Sequence, residues 1–68
     1  MVYESINAAV KDSGIKQKYI AERVGITESM FSAMLAGRRK VDVDEFFKLC
    51  QVLGKTPEQL YNYRSEQS

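Results

Sequence analysis

Apolar positions recur along the chain at helical spacing, and the recurrence breaks at regular intervals. Tyr3, Ile6 and Val10, with Ala9 beside them, mark one stripe of a helix over about Val2 to Ser13. Ile20, Ala21 and Val24 mark the inner side of a second helix, about Gln17 to Val24. Phe31, Met34 and Leu35 do the same for a third, about Glu28 to Ala36, with Thr27 placed as its N-cap. In a fourth, about Val43 to Leu53, Phe46, Phe47, Leu49, Cys50 and Leu53 fill so much of the circumference that this helix is expected to be the most buried. A fifth opens at Thr56-Pro57-Glu58-Gln59 and carries Leu60, Tyr61 and Tyr63, of which one tyrosine is expected to cap the core and the other to serve a contact between copies. The punctuation agrees. Gly14, Gly25, Gly37 and Gly54 each follow a periodic segment, where a helix end favours glycine. Asp42…Glu45 and Thr56…Gln59 read as capping boxes, the second with proline at the first helical position. Lys40-Val41-Asp42-Val43 alternates too briefly to be a strand. The pattern predicts an all-α fold, a compact bundle of five short helices around one core.

Composition narrows this. With 68 residues the chain is expected to form a single domain over 1–68, large enough for one small core. A 44% apolar content argues against disorder. No apolar run is long enough to span a bilayer, and no secretory signal opens the sequence, so no membrane partner is expected. Cys50 is alone and cannot form an internal disulfide, which fits a reducing cytoplasm. With no histidine there is no imidazole base and no protein-built zinc site. No catalytic residue, metal, cofactor or small-molecule ligand is expected, and an enzyme is the least favoured class.

The second and third helices carry the functional signal. Val24-Gly25-Ile26-Thr27 leaves only a tight turn between them, and Ala21 is small enough to let them approach, as in a helix-turn-helix. On the third helix, Ser29, Ser32, Ala33 and Ala36 lie opposite the apolar side, flanked by Glu28 and Met30. An ordinary solvent face carries long charged side chains; a small, weakly polar face suits entry into a major groove. Charge agrees once it is divided. The net +1 speaks against a strongly basic nucleic-acid binder, but residues 11–40 carry +4 and the remainder −3. Lys16 and Lys18 precede this helix, and Arg38, Arg39 and Lys40 follow it, placed to meet phosphates on either side of a groove.

The ordered set Ile15-x-Gln17-x-x-Ile20-Ala21-x-x-Val24-Gly25-Ile26-Thr27, then Phe31-Ser32, Gly37-Arg38, Leu53-Gly54 and Leu60, resembles the lambda-repressor-like helix-turn-helix family. This family includes the Cro and CI phage repressors and the xenobiotic-response-element group of bacterial regulators. The resemblance covers about residues 15–60. It implies that Gln17 clamps a DNA phosphate and that Arg38, with Arg39 and Lys40, touches the backbone; Lys16 and Lys18 are expected to join them as phosphate contacts by their charge and position. It implies that Glu28 and Ser29, with Ser32 and Ala33 one turn on, read base edges. It implies a regulator of transcription, a repressor from a phage, prophage or bacterium, that binds double-stranded DNA in the nucleoid. A homodimer on a palindromic operator is expected, joined through the fifth helix and the tail, with 64–68 frayed. Two departures bear on mechanism. Val10 and Leu35 stand where some members carry a buried Arg–Glu pair, so these two are expected to meet inside. Lys16 replaces the usual Ser or Thr cap before Gln17, losing ~1 kcal/mol of capping and setting a cation at the positive end of a helix. Two other readings compete: an antitoxin that autoregulates while holding a toxin, and a protein-interaction module that does not bind DNA.

Overall fold

The structure, a computed structural model, describes residues 2–64. Its five helices run α1 (Val2–Ser13), α2 (Gln17–Val24), α3 (Glu28–Leu35), α4 (Val43–Leu53) and α5 (Pro57–Tyr61), and no described residue is in a strand. The ends are set by the expected chemistry. Thr27 Oγ1 accepts from the Met30 N–H at 3.0 Å and starts α3. Asp42 accepts from the Glu45 N–H at 2.8 Å while Glu45 Oε1 accepts from the Asp42 N–H at 3.2 Å, closing the box on α4. Thr56 and Gln59 reciprocate at 3.1 and 2.9 Å on α5, with Pro57 in its first turn.

One cluster holds the bundle together. Ile6, Ile20, Phe31, Met34, Leu49 and Leu60 are its large, fully buried members, so every helix contributes to it. Val10 and Leu35, expected to meet inside, both lie in this cluster, and α1 packs on α3.

The fourth helix departs from expectation. Its buried residues are Glu45, Leu49 and Cys50, while Phe46, Val52 and Leu53 are only part-buried and Phe47 is 50% exposed. Phe47 precedes Leu49 by two residues, and two steps of an α-helix turn it about 160° away from the core stripe. Val43 is exposed for a similar reason. A sequence that reads as apolar nearly all round is thus a one-sided core helix with an apolar outer flank, and α4 is not the most buried element. The two tyrosines of the C-terminal segment differ in burial. Tyr63 packs against the core, donates its hydroxyl to Asp12 Oδ2 at 2.6 Å, and lies under the Lys55 ammonium, 4.8 Å from the ring centroid. Tyr61 is 62% exposed. The tail expected to fray lies, from residue 65 onward, outside the described residues.

Candidate nucleic-acid interface

The turn between α2 and α3 is built from the backbone outward. Gly25 has φ +90°, a conformation that side-chain-bearing residues rarely adopt. It lets both the Gly25 and Ile26 N–H groups donate to the Ala21 carbonyl, at 2.9 and 3.0 Å, and so ends α2 sharply. Ala21, 1% exposed, lies at the packed junction with α3, where a larger side chain would push the helices apart. The core anchors Phe31, Met34 and Leu35 then fix which side of α3 turns outward.

That outward side has the expected composition. Glu28, Ser29, Ser32 and Ala36 are exposed, and Ala33 is half-buried among them. Met30 adds an exposed thioether. Among the described residues, the side chains of Glu28, Ser29 and Ser32 make no internal hydrogen bond or ion pair. Their donors and acceptors are therefore open to an external ligand.

The basic groups sit at the two ends. At the start of α2, Lys16 occupies the N-cap position with ψ 139° and makes no side-chain capping bond. The first N–H groups of α2 thus stay open to an outside acceptor, with Lys16, Gln17 and Lys18 exposed around them. After α3 the chain reverses through Gly37, φ +81°. The Arg38 N–H donates to the Ala33 carbonyl at 2.9 Å and the Gly37 N–H to the Met34 carbonyl at 3.1 Å. This hydrogen-bond pair satisfies the last carbonyls of α3 and aims the following segment. Gly37 also lies under the Tyr3 ring. A Cβ built there would stand 2.8 Å from Tyr3 Cζ, so the loop is seated directly on α1.

Arg38 and Lys40 are exposed in that loop, whereas Arg39 is committed elsewhere. Its guanidinium forms a fork with Glu45, Nη1 to Oε1 and Nη2 to Oε2, both 2.9 Å, and Nη1 reaches the Lys40 carbonyl at 3.3 Å. Glu45 is 8% exposed, so this carboxylate depends on its partners. The fork with Arg39, reinforced by the Asp42 N–H, holds the Glu45 carboxyl below its ordinary range against the opposing effect of burial. The same hydrogen bonds hold the Arg39 pKa above its usual value. The sequence showed Glu45 only as the third residue of a capping box. That it also closes a part-buried ion pair was not visible, because Arg39 looked like one member of a basic run.

Two further features escaped the sequence reading. Tyr19 on α2 is 48% exposed and accepts from Arg23 Nη1 at 2.8 Å, with the guanidinium 5.7 Å from the ring centroid. The i, i+4 spacing was its only signal. The second is an apolar groove lined by Val2, Val41, Asp42, Val43, Phe46, Phe47 and Tyr61, of about 340 Å³. Cys50 is buried, and burial pushes its thiol pKa up, away from reactive thiolate character. No helix among the described residues is long and apolar enough to cross a membrane.

A family model described as helix-turn-helix, of the Cro and CI type, matches residues 6–60. The chain belongs to that family, whose members are DNA-binding regulators. No individual curated protein and no solved structure matches it significantly. The match takes in α2, the turn, α3 and the loop through Lys40, so the geometry above belongs to the segment that defines the family.

Proposed function

We propose that this protein is a sequence-specific regulator, a repressor, that binds a palindromic operator as a homodimer and acts in the compartment that holds the DNA. The observation that carries it is the free, small-residue face of α3 set between two basic ends. The start of α2 lacks an internal cap, and the loop after α3 presents Arg38 and Lys40. In this reading α3 lies in the major groove. Ser29, Ser32 and Glu28 face base edges there, and Ala33 permits close approach to a thymine methyl. Gln17 and the open N–H groups of α2 hold one phosphate strand, with Lys16 and Lys18 beside them. Arg38 and Lys40 hold the other strand, and Arg39, clasped by Glu45, braces the loop. Two half-sites one helical turn apart are about 34 Å from centre to centre. The longest extent of the described chain is 28 Å, so one copy does not fill both, and a second copy completes the site with α5 near the contact. Repression follows from occupying a promoter.

Selection of duplexes from a random pool, followed by binding isotherms at several salt concentrations, tests this. Affinity should fall with salt by about 0.9 log unit per log unit for each phosphate neutralised. Gln17→Ala and Arg38→Ala should weaken all duplexes alike, while changes at Glu28 or Ser29 should alter which sequence is preferred. If Arg38→Ala and Lys40→Ala together leave affinity and salt slope unchanged, the docking of α3 between two phosphate strands is wrong.

A further inference from the structure

The groove between the start of α1, the loop into α4, α4 and α5 has no partner within the described chain and is lined by none of the residues assigned above to DNA contact. Val2, Val41 and Phe46 form its half-buried floor. Val43, Phe47 and Tyr61 rise at its rim, 69%, 50% and 62% exposed. A small monomer gains nothing by holding two aromatics and a valine in water around a hollow. Contiguous apolar surface bounded by polar residues marks an association site.

We infer that the occupant is a second copy of this chain, seated with its α4 antiparallel to the first across a two-fold axis. Three observations favour this occupant. The patch contains both knobs and a socket of the same chemistry, which is the self-complementarity an isologous contact requires. Its charges are self-complementary as well. Asp44 and Lys48, both exposed, form a stripe beside Val43 and Phe47 at the same four-residue spacing. Antiparallel pairing sets Asp44 of one copy opposite Lys48 of the other. The area also fits. At their exposures Val43, Phe47 and Tyr61 present roughly 300 Å² to water. Two such patches with their polar rims come to about the 1,000 Å² floor for a specific interface. The contact is therefore weak in solution and completed on DNA, where both copies are held side by side.

For its purpose the inference rests on the two-copy operator reading, and for its place on the groove alone. Val41 follows Lys40 directly, so the two basic loops flank the axis, and the contact lies on α4 and α5 rather than on the tail. Sedimentation from micromolar to millimolar concentration, without DNA, tests it. The wild type should show a monomer–dimer equilibrium, and Phe47→Asp should raise its dissociation constant by about tenfold or more. Asp44→Lys and Lys48→Asp should each weaken self-association, and mixing the two variants should restore it as a heterodimer. Because all three side chains are exposed, circular dichroism should show the helical content unchanged. A wild type that stays monomeric at millimolar concentration overturns the inference. So does Phe47→Asp dimerising as the wild type does, or a mixture that associates no better than either variant alone. Phe47→Asp should still bind a single half-site with wild-type affinity. Loss of half-site binding in the wild type itself would instead strike the DNA reading, leaving the groove to be judged by sedimentation.

Discussion

Replacing Gly37 with alanine asks two separate things of the turn that carries Arg38 and Lys40. At φ +81° an alanine must hold a left-handed conformation, which costs about 1–2 kcal/mol. Its methyl must also find room where Tyr3 ring atoms stand at 2.8, 2.9 and 3.0 Å. Ordinary carbon contacts lie near 3.5–4.0 Å, so the ring has to withdraw by most of an ångström, an overpacking cost of about 1–3 kcal/mol. The total, about 2–5 kcal/mol, is a large share of the roughly 3–10 kcal/mol that a domain of this length possesses. Gly25→Ala supplies the control. Its φ of +90° imposes the same backbone penalty, but nothing lies within 4 Å of the new methyl. Urea unfolding followed by circular dichroism should rank Gly37→Ala below Gly25→Ala by about the ring term alone, 1–3 kcal/mol. In a Tyr3→Ala background the difference should vanish, and a double-mutant cycle measures the coupling. Equal costs for the two glycines, or a difference that survives removal of the ring, would refute the reasoning that Tyr3 seats the loop on α1.

Three other outcomes follow from the same geometry. Lys16→Ser should provide the missing cap on α2 and stabilise the fold by about 0.5–2 kcal/mol in urea unfolding, while weakening duplex binding at low salt; a variant that gains neither cap nor loses affinity contradicts the reading of Lys16. Because the folded Glu45 carboxyl lies below its ordinary value of 4.5, the unfolded chain takes up that proton first. Its contribution is whole above about pH 4.5 and is lost as pH falls through the lower folded value, so Glu45→Gln should flatten the acid limb of the stability–pH curve and leave Arg39 without its ionised partner. Cys50, buried with a raised pKa, should react with a thiol reagent only at the rate of unfolding; rapid labelling of the native protein at neutral pH would show that the core opens there.

The helices were legible because each level of the sequence pointed the same way. Thr27, Asp42 and Thr56 cap where the periodicity begins, and the three bonds appear as read. What stayed hidden was long-range or depended on direction. Gly37 read as a helix terminator, and it is one, but its second duty under Tyr3 joins residues far apart in the chain. Phe47 counted as core because composition around a helix was weighed without its angle, and an aromatic two residues from Leu49 faces away. Arg39 counted as a phosphate ligand because three basic residues in a row have no internal order in sequence; only the fold selects the middle one for Glu45.

That selection alters how the charge of the chain should be understood. The basic stretch 11–40 carries +4 against −3 elsewhere, yet the charges are not all available to DNA. Arg39 is neutralised by a carboxylate that is itself nearly buried, and Arg23 lies along Tyr19. In the proposed docking, a phosphate approaching the loop would meet Arg38 and Lys40, which are exposed, with the intervening side chain turned back into the α4 cap. A loop of three free cations binds any duplex by charge and tolerates many poses. Two cations on a loop fixed by a two-bond fork, an α-helix cap and an aromatic ring beneath its glycine hold a narrower set of poses. In the docking proposed above, rigidity at this position trades non-specific attraction for register, and register is what a small, weakly polar α3 would need, since serine and alanine reach base edges only when a helix sits at one depth in the groove.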